Sequence, residues 1–167
     1  MLFGRQRGLL LALPAAVALL LLSTACDSED DQAQRRQAVQ TLVDATRLEP
    51  APGKTAIPIS ETRSEADAPY YNAGGTLPGD RPAVVTLLER TLRDQDWDVF
   101  ESHTVNYSLG WQVRGVRGSM VARVLVGWFD APPGEFDPAP RLPGRVWVTI
   151  DVGRKGSNQV WTRVGLN

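Results

Sequence analysis

The spacing of apolar residues in the second half of the chain changes from helical to strand-like near residue 97. Between Asp80 and Asp96 the apolar residues recur with the period of a helix: Val84, Leu87, Leu88 and Leu92. Asp80 is a good N-cap residue, and Pro82 falls in the first turn, where its missing N–H does no harm. The pattern therefore predicts the main helix of the domain over residues 80–96.

After this helix, apolar and polar residues alternate with a period of two. The alternation predicts strands over Trp97–Val105, Leu109–Val116, Ser119–Phe129, Arg145–Val152 and Gln159–Val164. Because most connections between successive strands are short, we expect an antiparallel meander. One main helix on a sheet of four to five antiparallel strands is a two-layer α+β domain. This order of elements resembles a cystatin-like arrangement, an analogy that implies no function.

The first 25 residues have the pattern of an export signal. Arg5 and Arg7 precede an apolar run from Gly8 to Leu22, and small residues follow the run. Basic, apolar and small residues in this order are typical of a secretory signal peptide. The run is shorter than the roughly 20 apolar residues of a membrane-spanning helix, and Pro14 interrupts it.

The segment Leu22-Ser23-Thr24-Ala25-Cys26 resembles the lipobox of bacterial lipoproteins, although that family more often has a large aliphatic residue at the place of Ser23. The resemblance implies cleavage between Ala25 and Cys26 and a diacylglycerol on the Cys26 sulfur. The protein would then be anchored by lipid to the extracytoplasmic face of the cell membrane, and Asp27 resembles a signal for retention there. Plain secretion and an uncleaved single-pass anchor are the alternatives.

Composition narrows the function classes. Cys26 is the only cysteine, so no disulfide can form within the chain. Without Arg5 and Arg7 the chain carries 16 basic and 19 acidic residues, a net charge of −3. This balance argues against a nucleic-acid-binding protein, which usually has a basic excess. Arginine outnumbers lysine 16 to 2, a bias that resembles the coding habit of high-G+C bacteria.

The sequence divides into four parts: a signal peptide (1–25), the lipidated cysteine with an acidic start and a short helix (26–48), a linker (49–79) and the α+β domain (80–167). The short helix is predicted over Gln32 to Arg47, and whether it docks on the domain or stands off as a stalk stays open. Residues 49–79 are rich in proline and glycine, which fits a linker or an irregular wrap. As a flexible chain the linker would span about 30 Å and hold the domain clear of the bilayer.

No set of residues predicts catalysis, a metal site or a cofactor. The single histidine, His103, lies in a predicted strand, and no nucleophile motif accompanies it. Asp94-x-Asp96-x-Asp98 has the opening rhythm of a calcium loop, but valine stands where an EF-hand needs its later glycine and glutamate. Carboxylates for hydrolysis could come from four acids that the spacing does not pair: Asp130, Glu135, Asp137 and Asp151.

The proline-rich segment from Asp130 to Gly144 is the candidate binding loop, because long loops without regular structure are often functional. Its candidate contact residues are Pro132, Pro133, Glu135, Phe136, Asp137, Pro140 and Arg141. A passive hairpin loop is the alternative. Trp147 shares a strand face with Arg145, Thr149 and Asp151, away from the apolar set, and is a candidate surface aromatic.

These features predict a lipid-anchored envelope protein that acts as a non-catalytic binding or accessory module for a protein or cell-wall partner. Two alternatives stay open. One is a hydrolase that acts on envelope material through carboxylates, and the other is a structural subunit of a membrane complex.

Overall fold

The computed structural model describes residues 28–64, 67–105, 110–127 and 143–155. In chain order these residues form helix α1 (Glu29–Thr46), strands β1 (Ser60–Ser64) and β2 (Asp67–Pro78), helix α2 (Arg81–Asp94), and strands β3 (Asp98–Val105), β4 (Gly110–Arg117), β5 (Met120–Val126) and β6 (Arg145–Arg154). The strands form one antiparallel sheet in the order β1-β2-β6-β5-β4-β3. The predicted α+β class is confirmed, but the described residues form six strands rather than four to five.

Helix α2 is the predicted main helix. The side chain of Asp80 accepts a hydrogen bond from the backbone N–H of Ala83 at 2.9 Å, which caps the first turn as the sequence predicts. Val84, Leu88 and Leu92 are each 1% exposed, because this apolar stripe packs against the sheet. The helix ends at Asp94, two residues before Asp96, which takes a left-handed conformation with φ of 60°.

Helix α1 docks on the domain and is not a free stalk. Its N-cap, Ser28, accepts a hydrogen bond from the backbone N–H of Asp31 at 3.1 Å. Ala38, Val39, Leu42 and Val43 are buried against β2 and β6, on the same side of the sheet as α2. The helix begins at Glu29 rather than at the predicted Gln32. The described core therefore includes a segment that the sequence placed outside the α+β domain.

The prediction of a linker over residues 49–79 is wrong, because much of this segment forms β1 and β2. Strand β2 lies between β1 and β6, and its Tyr71, Ala73 and Leu77 belong to the core. This segment cannot act as a flexible spacer, so the expected separation of about 30 Å between domain and bilayer does not follow.

Two adjacent glycines explain why β2 was mistaken for irregular chain. A Cβ atom at Gly75 would lie 2.5 Å from the Glu49 carbonyl oxygen and 2.8 Å from Leu48 Cγ. A Cβ atom at Gly74 would lie 3.3 Å from the indole of Trp147. Glycine inside a strand often marks such a close approach, and here it admits another backbone segment on one face and a tryptophan ring on the other.

The predicted meander is confirmed for the described strands β3 to β6. The turn between β4 and β5 uses Gly118 with φ of 58°, a conformation that favours glycine. The predicted strand over Gln159–Val164 lies outside the described residues.

Candidate functional site

The two faces of the sheet differ in what covers them. On one face Val124, Val148, Ile150 and Val152 pack beneath α1 and α2, and each is at most 1% exposed. Alternate residues of every strand point to the opposite face. Neither described helix lies on that second face, which we call the open face, although its residues Gln112, Asp151 and Val121 are only 1%, 3% and 7% exposed.

Five polar residues lie in direct register across five strands of the open face. In the order of strands β2, β6, β5, β4 and β3 they are Asn72, Asp151, Arg123, Arg114 and Glu101. We call them the polar row. Asn72 is uncharged, and the other four residues are in turn negative, positive, positive and negative. The row as a whole is therefore electrically neutral.

Two ion pairs hold the polar row together. The Nε and Nη2 atoms of Arg123 donate to Oδ2 of Asp151 at 2.9 and 2.7 Å. The Nη1 atom of Arg114 donates to Oε2 of Glu101 at 2.7 Å. The side chain of Asp151 is only 5% exposed, so the first pair is shielded from solvent and more strongly coupled than an ordinary surface pair.

The buried carboxylate of Asp151 predicts a particular pH dependence. Burial raises the pKa of Asp151 above its ordinary value, and the Arg123 guanidinium partly opposes this shift. The folded protein therefore holds this proton more tightly than the unfolded chain. The pH-dependent part of the contribution of Asp151 to stability is complete below its unfolded pKa of about 3.9 and is lost as pH rises through its folded pKa.

We expect the free energy of unfolding of the wild type, relative to Asp151→Asn, to fall as pH rises from 4 to 8. Denaturant unfolding of both proteins across this range measures the difference. A difference that grows with pH would contradict the assignment, since it would mean that the ion pair outweighs burial.

Glu101 orients two neighbouring side chains of the open face. Its Oε1 atom lies 3.3 Å from Nδ1 of His103, and its Oε2 atom accepts from Arg114. His103 in turn pairs in register with Gln112 of β4. Glu101 therefore holds an imidazole and a guanidinium beside a buried amide.

Four buried atoms of this group lack a hydrogen-bond partner within the described part of the chain: Nε2 of His103, Nε of Arg114, and both Nε2 and Oε1 of Gln112. The side chain of Gln112 is among the largest of those less than 2% exposed. A buried polar atom without a partner costs about 1–3 kcal/mol, so these four atoms lower the stability of the fold. We call Gln112, His103 and Arg114 the amide cluster.

The loss of stability that comes from burying the Gln112 amide without a partner can be measured directly. Methionine has a similar unbranched shape without the amide, so we expect Gln112→Met to raise the free energy of unfolding of the unliganded protein by about 1–2 kcal/mol. Thermal and denaturant unfolding check the change, and Gln37→Met on an exposed position of α1 is the matched control. A loss of stability at position 112 would show that the amide is satisfied within the fold.

Aromatic side chains lie at both sides of this polar region. The guanidinium of Arg114 lies 5.2 Å from the ring centroid of Phe100, and Phe100 is 53% exposed. On the far side, Trp147 is half-buried on the open face and its ring lies over Gly74. The structure thus places the predicted surface tryptophan and the ion-paired Asp151 on the same face.

Other candidates from the sequence are dispersed or lie elsewhere. Asp94, Asp96 and Asp98 occupy exposed positions at the end of α2 and the start of β3. The described ranges contain no group of three potential metal-ligating side chains. Ala25, Cys26 and the candidate loop residues 132–141 lie outside the described residues, as do Asp130, Glu135 and Asp137.

Sequence reasoning missed the amide cluster. His103 and Gln112 were each compatible with an ordinary strand position, and their pairing depends on the register between β3 and β4. The available signal was the alternation itself, which places Gln112, Arg114 and Arg123 opposite the apolar residues of their strands.

Comparison with known proteins finds no match to this chain among family models, curated proteins or solved structures. Within the described ranges, neither helix has the length and apolar character needed to cross a membrane.

Proposed function

We propose that this protein is a lipid-anchored module of the cell envelope whose open face binds a partner without catalysis. The observation that carries the proposal is the ring of Phe100, which is 53% exposed on strand β3 beside the guanidinium of Arg114. An exposed aromatic ring beside a charged side chain is a surface on which a partner can pack. The candidate loop over residues 130–144 is a second contact in this proposal.

The anchor in this proposal is a diacylglycerol on Cys26, supported by the lipobox-like segment before it. Helix α1 begins at Glu29 and is docked, so only Asp27 and Ser28 separate the lipid from the domain. A chain of this length reaches about 10 Å at most. The domain would therefore lie at the membrane surface, where its partner is a membrane component or a structure close to the bilayer.

Cys26→Ser tests the anchor. We expect the wild type to incorporate labelled fatty acid and to fractionate with membranes, and the variant to do neither. Equal membrane association of both proteins, without label, would refute lipidation.

A crosslinking pull-down from native membranes tests binding. The wild type is compared with Phe100→Ser, with a deletion of Ala131 to Pro143, and with Gln37→Ser as the control, after each is shown to be folded and lipidated. Loss of the captured partner with Phe100→Ser places the contact at the Phe100 ring. Loss with the deletion alone moves the contact to the loop, and capture of nothing by the wild type refutes the binding module.

A carboxylate-dependent hydrolase of envelope material is the second candidate, because burial raises the pKa of Asp151 as in many general acids. An activity abolished by Asp151→Asn in a folded protein would favour it. A partner that stays bound through purification in detergent would instead favour the structural subunit.

The cystatin-like arrangement is also part of the proposal. Its support is that α2 packs across β3, β4 and β5 and is followed by the antiparallel meander β3 to β6. This analogy concerns the fold and supplies no ligand.

A further inference from the structure

We propose that residues 156–167 fold back over the open face and cover strands β4, β5 and β6 there. These residues lie outside the described ranges. The inference goes beyond the proposed function and depends neither on a lipid anchor nor on a partner. It follows from how little of the open face is exposed and from the position of the last described residue, Lys155.

The middle of the open face is buried although neither described helix lies on it. Gln112, Asp151 and Val121 are 1%, 3% and 7% exposed. The long side chains of Arg114 and Arg123 are themselves only 12% and 13% exposed. Arginine ordinarily keeps its charged end in water, and shorter neighbours on the same face do not reach over it. A further segment of the chain therefore lies above these strands.

Residues 156–167 begin beside the covered part of the face. The backbone N–H of Lys155 donates to the carbonyl oxygen of Ser119 at 2.7 Å, and Ser119 comes two residues before Val121. Twelve residues of extended chain reach about 40 Å, whereas β4, β5 and β6 lie within a width of about 10 Å. The segment is therefore long enough to cover all three strands from its starting point.

The other stretches outside the described ranges are less well placed. Residues 65–66 and 106–109 are too short to cross three strands. Residues 128–142 leave the sheet at its other end, where the backbone N–H of Gly127 donates to the Trp147 carbonyl oxygen. Val121 lies six residues, or about 20 Å, along strand β5 from Gly127. Residues before Ser28 continue from α1, which lies on the opposite face.

The segment has apolar side chains that can pack on the strands beneath it. Val160, Trp161 and Val164 lie within it, and a tryptophan alone buries about 150–250 Å². Val121 and the half-buried Leu125 offer apolar contacts on the open face. Phe100 lies on β3, outside the three covered strands, and its 53% exposure leaves it available to the partner of the proposed function.

Thiol labelling at position 121 tests the inference. The full chain carries Cys26→Ser, so Val121→Cys supplies its only thiol and lipidation does not affect the result. This chain is compared with one that stops after Lys155. We expect labelling to be about tenfold faster in the shorter chain, because in the full chain the segment must open before the reagent reaches the thiol. Gln37→Cys, exposed on α1, should be labelled at the same rate in both chains.

Trp161→Ser in the full chain decides the question if the shorter chain does not fold, as judged by circular dichroism. We expect faster labelling of position 121 with Trp161→Ser and an unchanged rate with Asn158→Ser, the control in the same segment. Three outcomes overturn the inference. One is labelling in the full chain as fast as at position 37, and another is slow labelling in every folded variant. The third is faster labelling only after deletion of Ala131 to Pro143, which would assign the cover to that loop.

Discussion

Replacing Asp151 with alanine at pH 7 is expected to lower the free energy of unfolding by about 3 kcal/mol. The variant removes the oxygen that accepts from Nε and Nη2 of Arg123. The side chain of Arg123 is only 13% exposed, so water replaces this acceptor poorly. Denaturant unfolding of the folded, unliganded protein measures the change.

The double variant Arg123→Met with Asp151→Leu is the control for this prediction. Removing both charges takes away the ion pair and also its desolvation cost, so the double variant should be closer to wild type than either single variant. A double-mutant cycle gives the coupling energy between the two side chains. Additive losses would show that the two residues act independently and that the polar row is not a coupled structure.

Leu42→Ala is expected to destabilise the protein by about 2–5 kcal/mol. Leu42 is 2% exposed in the interface between α1 and the sheet, and truncation leaves a cavity there. Gln37→Ala, at an exposed position of the same helix, should change stability by no more than about 0.5 kcal/mol. Similar small effects of both variants would mean that α1 is a separate stalk and that its docking contributes nothing to stability.

The elements that the sequence predicted well are those with strong local signals. Helix α2 has a capping aspartate, an early proline and one continuous apolar stripe, and each of these features acts within a few residues. The strands β5 and β6 carry apolar residues at alternate positions, such as Val124 and Val126 or Val148 and Ile150, because one face of each packs beneath the helices. Local patterns of this kind are sufficient to predict class and element type.

Strand β2 could not be predicted in the same way, because its composition serves contacts that are remote in sequence. Gly75 leaves space for Leu48 and Glu49, and Gly74 leaves space for Trp147, which is more than seventy residues away. Without these contacts the two glycines and the nearby prolines indicate a linker. The docking of α1 depends on the same strand, so the sequence could not predict this docking either.

The candidate site was predictable only in part. The sequence indicated that Asp151 and Trp147 face away from the core, since alternation alone determines that. It could not indicate that Asp151 meets Arg123 or that His103 meets Gln112, because register is a property of the paired strands. Nor could it show that Gln112 is buried without a partner.

Photocrosslinking from defined positions tests most directly whether the open face is the binding surface. A photoreactive residue at Thr149, on the open face beside the polar row, is compared with one at Gln37, on the outer surface of α1. Both proteins are lipidated in native membranes and irradiated. We predict a specific adduct from position 149 that Phe100→Ser abolishes, and none from position 37. An adduct from position 37 alone would contradict the assignment of the open face as the binding surface.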